Sequence, residues 1–170
     1  MRQANMDALL DKVCERLAVE TGGVDIYHAV IGKIDDEPTR IRLDHFMGEE
    51  VQHRDLLAAY LDRMGRTIHE TPSARLAAHE GQAYLKLIGE ATTDAQLLSI
   101  LLTVELMDET GWEMLVDLGR DLGEAEIARG FQQALKEEKE HLRGVRGMLA
   151  QMTRQLLVPE AEIEAEKTIQ

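Results

Sequence analysis

Two stretches of the chain read alike. One is Gly48-Glu49-Glu50-Val51-Gln52-His53 and the other is Lys136-Glu137-Glu138-Lys139-Glu140-His141. Each contains Glu-Glu-x-x-His. Residues three apart share one face of an α-helix, so Glu50 with His53, and Glu138 with His141, can reach a common point. A carboxylate and an imidazole converging there is the chemistry of a first-row transition metal. A single pair would be weak evidence in a chain so rich in glutamate. Two copies in matching places are much stronger.

Each copy has an upstream partner. Glu20 stands 30 residues before Glu50, and Glu105 stands 33 before Glu138. Both lie among apolar neighbours, in Leu17-Ala18-Val19-Glu20 and in Leu102-Thr103-Val104-Glu105-Leu106-Met107. An unpaired carboxylate on such a face costs several kcal/mol, which a metal or a counter-charge must offset. Seven residues after Glu20 is Tyr27, and seven after Glu105 is Trp112. Seven residues are nearly two helical turns, so each aromatic shares a face with its glutamate. Glutamate, aromatic, turn, Glu-x-x-His is written twice.

Helices must position these residues. Apolar residues recur at threes and fours over residues 3–33, where Gly22 and Gly23 interrupt the pattern, and again over 39–64 up to Gly65. Asp35-Asp36-Glu37-Pro38 is a turn. Thr71-Pro72 opens a shorter helix ending near Gly89. Thr93 with Gln96 forms a capping box for a helix to about Leu118. That helix is apolar nearly all round and is expected to be the most buried. A last helix runs over 124–157, stopped by Pro159. Four long helices and one short one, with no strand signal, predict an all-α helical bundle over residues 1–158 and an acidic tail at 159–170. Long helices of about 25 residues span roughly 38 Å, and an antiparallel arrangement brings their mid-points to one depth.

Composition agrees. The chain has 170 residues, a net charge of −13 and only 4% aromatics, enough for one helical domain and poor material for a β-sandwich. A lone cysteine, Cys14, excludes a disulfide framework or a Cys-rich metal site, and is expected in the core. The acidity argues against nucleic acid and anionic membranes. No apolar stretch approaches the roughly 20 residues of a membrane span, and the first ten residues form no signal-peptide core, so a cytoplasmic protein is expected.

Glu20, Glu50-x-x-His53, Glu105 and Glu138-x-x-His141 together resemble the di-metal carboxylate site of the ferritin-like superfamily, which includes bacterioferritins and rubrerythrins. The resemblance covers roughly residues 5–155. It implies an antiparallel, ferritin-like four-helix bundle in which Glu50 and Glu138 bridge two metal ions. Glu20 and Glu105 would be terminal ligands, and His53 and His141 would each bind one metal. Iron is the leading metal, with manganese or a mixed pair compatible. Tyr27 matches a tyrosine near the site of bacterioferritins. Val51 stands where their haem-binding methionine follows the helix-two glutamate, so no haem is expected. The extra short helix between long helices two and three, and the run from Val104-Glu105 to Leu118-Gly119, look more like the stress-induced YciF-like branch. That argues against a hollow storage cage.

The implied activity is that of a non-haem di-iron oxidoreductase, oxidising ferrous iron or reducing O2 or hydrogen peroxide with an unknown electron donor. Tyr27 and Trp112 are the candidate catalytic side chains, as electron donors, with bundle packing around a polar tip as the other reading. The rivals are an iron store in a larger oligomer, a monooxygenase using room left by Gly22, Gly23 and Gly111, and a structural stress protein with a vestigial site. A homodimer or higher homo-oligomer is expected. Glu49 and Glu137 either accept the outer N–H of His141 and His53 from across the bundle or face solvent. Glu109 is expected to be a solvated or lightly paired carboxylate rather than a seventh ligand. His28, His45, His69 and His79 are expected to be ordinary surface or core histidines, and Met47, Met107 and Met114 to fill the core.

Overall fold

Residues that cap helices decide where three of them begin. Asp36 accepts the backbone N–H of Thr39, Thr71 that of Ala74 and Thr93 that of Gln96, each through its side-chain oxygen. In the computed structural model, which describes residues 2–66 and 70–157, these caps precede α2 (Glu37–Arg63), α3 (Pro72–Glu90) and α4 (Asp94–Asp121). α1 (Arg2–Ile31) and α5 (Ala125–Leu157) complete the set, and no strand occurs among the described residues. The capping box at Thr93 is modified: the Gln96 side chain accepts the N–H of Thr92, one residue earlier than expected. Gly65 and Gly123, with φ of 68° and 75°, end α2 and α4 in the left-handed region that glycine enters without a Cβ penalty. The expected tail at 159–170, the stop at Pro159 and His69 lie outside the described residues.

α1 runs unbroken through Gly22 and Gly23. Gly22 meets Gly81 of α3, where a Cβ would lie 3.8 Å from the Gly81 Cα, and α3 packs along α1. A Cβ on Gly23 would lie 3.3 Å from Glu50 Oε2. The two glycines therefore mark close approaches inside a continuous helix.

Apolar side chains gather in two clusters. One contains Leu9, Val13, Leu57, Leu61, Trp112, Leu115, Phe131 and Leu135. The other contains Tyr27, Val30, Leu43, Phe46, Leu98, Leu101, Val104 and Val145. On α1, α2, α4 and α5, the residues of one cluster precede the repeated glutamates and those of the other follow them. The glutamates thus form a polar layer between two apolar ones. Cys14 is in the first cluster, as expected.

α4 departs from its expected burial. It buries Leu97, Leu98, Leu101, Val104, Leu115 and Val116 on one stripe, but Leu106, Met107 and Met114 are 46%, 36% and 49% exposed. Met107 and Met114 therefore do not fill the core, because they fall on the helix face turned away from it, while Met47 does pack against the second cluster. Among the described residues, no helix is long and apolar enough to cross a membrane.

Candidate metal centre

The mid-points of the four long helices supply six fully or almost fully buried side chains: Glu20 from α1, Glu50 and His53 from α2, Glu105 from α4, and Glu138 and His141 from α5. Their ligand atoms form two groups. Glu20, Glu50, His53 and Glu138 offer one, and Glu50, Glu105, Glu138 and His141 the other, all atoms within a group lying within 4.8 Å of one another. Glu50 and Glu138 belong to both. Contacts across the site run in opposite sequence order: Glu20 meets Trp112 while Tyr27 meets Glu105, and His53 meets Glu137 while His141 meets Glu49.

The histidines are held from behind. His53 Nε2 lies 2.8 Å from Glu137 Oε2, and His141 Nε2 lies 2.8 Å from Glu49 Oε2. These are the cross-bundle pairings set against solvent exposure for Glu49 and Glu137, and the structure makes both. With each outer nitrogen paired to a carboxylate, Nδ1 is the ring nitrogen that faces the cluster. His141 Nδ1 lies 3.1 Å from Glu50 Oε1, and His53 Nδ1 lies 2.8 Å from Glu138 Oε1.

Tyr27 and Trp112 cross over between halves. The Tyr27 hydroxyl donates to Glu105 Oε1 at 2.7 Å and the Trp112 indole N–H to Glu20 Oε1 at 2.9 Å. Each aromatic faces the site, but it holds the other half's glutamate rather than its own. The helices place each pair on one face, and the contacts between α1 and α4 match position 20 with 112 and 27 with 105.

Several of these buried atoms lack a hydrogen bond of good geometry: Oε2 of Glu20, Glu50 and Glu105, both oxygens of Glu138, and Nδ1 of His53, of which Glu138 Oε1 and His53 Nδ1 face each other as an ion pair at 2.8 Å. Four buried carboxylates with so few good hydrogen bonds among them could hold a cation, which would offset the desolvation cost that remains. The donor set, four carboxylates and two imidazoles, suits a pair of first-row metal ions. Among themselves the carboxylates compete for protons. Burial, then the charges of Glu138 and Glu20, pushes Glu50 well above the ordinary range. Burial and the charge of Glu138 do the same to Glu105. Burial would also raise Glu138, but the nearby rings of His141 and His53 outweigh it and bring it down to about 2. Burial alone would lower His141, whereas Glu138 and Glu105 beside it carry it up to about 9.

Two residues at the site were absent from the sequence reading, Arg16 and Asp108. Both are buried. The Arg16 guanidinium forms an ion pair with Asp108 Oδ1 through Nη2, and its Nε lies 3.1 Å from Glu20 Oε1. Nη1 points to the carbonyls of Met107 and Asp108 at 3.4 and 3.3 Å. Gly111 makes the room, since a Cβ there would stand 1.9 Å from Nη1. Burial raises Asp108 to about 8 despite the Arg16 charge beside it. The repeat itself held the signal. Arg16 is four residues before Glu20, where the second half has Leu101, and Asp108 is three after Glu105, where the first half has Gly23.

The other expectations resolve simply. Glu109 is outside both ligand groups and lies 3.9 Å from Lys139 Nζ, a lightly paired carboxylate. His28, His45 and His79 are exposed.

No curated protein matches the sequence. Among solved structures, the crystal structure of the E. coli stress protein YciF is similar, with a TM-score of 0.77 at 13% identity, covering 89% of this chain and 98% of that one. At that identity the likeness speaks for the fold alone. Residues 5–157 match the family described as "Domain of unknown function (DUF892)". That span holds all six converging side chains, both residues of the Arg16–Asp108 pair and nearly all of the five helices, and the chain belongs to the DUF892 family.

Proposed function

We propose that the chain is a ferritin-like di-metal carboxylate protein, with α1, α2, α4 and α5 as an antiparallel four-helix bundle around two first-row metal ions, iron foremost. The observation that carries this reading is the pair of ligand groups sharing Glu50 and Glu138. Glu50 and Glu138 would bridge the two positions. Glu20 with His53 would complete one, and Glu105 with His141 the other. Bound there, ferrous iron supplies electrons for the reduction of O2 or peroxide and is itself oxidised.

The chain's own residues prepare that chemistry. Glu49 and Glu137 fix the tautomer of the histidines, so that a lone pair faces each metal position. Tyr27 and Trp112 each hold one oxygen of a terminal glutamate and leave the other free. Their buried rings, in contact with these ligands, are placed to donate an electron. The apolar clusters on either side keep bulk water from the polar layer.

The three glycines named for the monooxygenase reading each lie against a neighbour, while a cavity lined by Gly111, Arg16 and Val19 opens at the third. Gly22 faces Gly81, Gly23 faces Glu50, and Gly111 faces Arg16. Self-association, most simply as a homodimer, is supported by the exposed Leu106, Met107 and Met114 on α4. Sedimentation showing only monomer at all practical concentrations would contradict it.

The test of function is anaerobic loading of the purified protein with ferrous iron, elemental analysis, and then exposure to O2 or to peroxide. About two ions per chain, oxidised by one of the two, is the expected result. Protein that binds no stoichiometric metal would instead be a structural protein with a vestigial site.

A further inference from the structure

The two metal positions share their bridging ligands and have matched histidines, each backed by a matched glutamate. Their terminal glutamates differ in surroundings. Glu105 Oε1 accepts one bond, from the neutral Tyr27 hydroxyl. Glu20 Oε1 accepts the Trp112 indole N–H and also faces the Arg16 guanidinium at 3.1 Å. No counterpart of Arg16 stands before Glu105, where Leu101 occupies the equivalent place in the apolar cluster.

We propose that Arg16 is a positioning residue that makes the two metal positions unequal, so that metal fills the Glu105–His141 position first and the Glu20–His53 position second. The inference rests on the di-metal reading above. The guanidinium charge 3.1 Å from Glu20 draws on the same carboxylate charge that a metal at that position needs, and no such charge stands beside Glu105. The guanidinium is fixed in this role from its far side. Asp108 and the carbonyls of Met107 and Asp108 hold its other nitrogens, in space that only a glycine at position 111 leaves open. Asp108 compensates the buried charge through Nη2, while Nε is the nitrogen beside Glu20.

The experiment is calorimetric titration of the metal-free full chain with Mn2+, and with Co2+ followed by its visible absorption. Wild type is expected to take up two ions in two steps, separated by at least about tenfold in affinity for a charge at this range. His141→Ala should remove the tight step and His53→Ala the weak one. The doubly neutral variant Arg16→Gln with Asp108→Asn leaves no buried unpaired charge, and it should bring the two steps together by strengthening the weak one. Gly111→Ala, which displaces the guanidinium without deleting it, should act in the same direction, while Arg16→Lys, which keeps the charge, should retain part of the separation. Two steps of equal affinity in wild type, or loss of the tight step in His53→Ala, would overturn the inference and leave the di-metal reading standing. A chain that takes up neither ion would overturn both.

Discussion

The first half of the molecule, α1 with α2, and the second, α4 with α5, carry the same ligands at nearly the same spacing, yet their surroundings differ. Glu20 is backed by an indole and a guanidinium, whereas Glu105 is backed by a phenol. His141 packs against Phe46, with ring centroids 4.5 Å apart, whereas His53 packs edge-on against Trp112 at 5.5 Å. The shared residues are those that could bind metal, and the divergent ones are those that pack against them. A repeated motif therefore locates such a centre, and departures from the repeat locate what makes its two sides different.

The most severe way to break the comparison is to remove what the halves share. Glu138→Leu should abolish binding at both positions, because Glu138 belongs to both ligand groups. Elemental analysis after anaerobic loading checks this, and retention of one ion per chain would show that Glu138 is not common to both.

The aromatic counterparts should then separate. Trp112 is fully buried against Phe131 and His53, and Trp112→Ala should cost about 3–5 kcal/mol of stability through the cavity it leaves. Tyr27→Phe keeps the ring and removes only the bond to Glu105, so it should cost about 1–2 kcal/mol. Denaturant midpoints measure both, and equal losses would contradict the different roles of ring and hydroxyl.

The backing glutamates should instead behave alike. Glu49→Gln and Glu137→Gln each weaken one histidine's carboxylate partner, and each should lower metal affinity by roughly tenfold. A large loss for one and none for the other would mean that only one histidine is oriented in this way.

Proton linkage gives a milder effect that spans both halves. Glu20, Glu50, Glu105 and Asp108 all have pKa values raised by burial, Asp108 from 3.8 to about 8. Groups raised in the folded state hold more protons there than when unfolded. Their contribution to stability is complete below the ordinary carboxylate range and is lost as pH rises through the raised values. His141 has the same sign, losing its contribution between 6.5 and about 9. Glu138 has the opposite sign, contributing above 4.5 and losing that contribution as pH falls toward about 2. The metal-free protein should therefore melt at a higher temperature near pH 5 than near pH 9. Metal should raise the melting temperature more at neutral pH than at pH 5, where protons compete for the ligands. Melting curves at these pH values check both statements.

Much of this was legible in the sequence because helices convert spacing into geometry. Glu-x-x-His puts both ligands on one face wherever the helix goes, and Thr93, Thr71-Pro72 and Gly65 mark helix ends by local chemistry. The same logic raised a cross-bundle pairing for Glu49 and Glu137 but left it level with solvent exposure. It did not settle which glutamate each aromatic would hold, because that depends on how α1 crosses α4. Nothing local in the sequence marked Arg16. Its burial depends on Gly111, which is distant in sequence, and on a carboxylate contributed by the other half. The exposed methionines of α4 were misplaced for a related reason: an apolar helix does not reveal which face lacks a neighbour.

The most direct test of the central claim is the metal content of the purified full chain after saturation with ferrous iron under anaerobic conditions and removal of loosely bound metal. The account predicts about two ions per chain in wild type, about one in either His53→Ala or His141→Ala, and none in Glu138→Leu. Wild-type protein that is fully folded and retains no stoichiometric iron would contradict it.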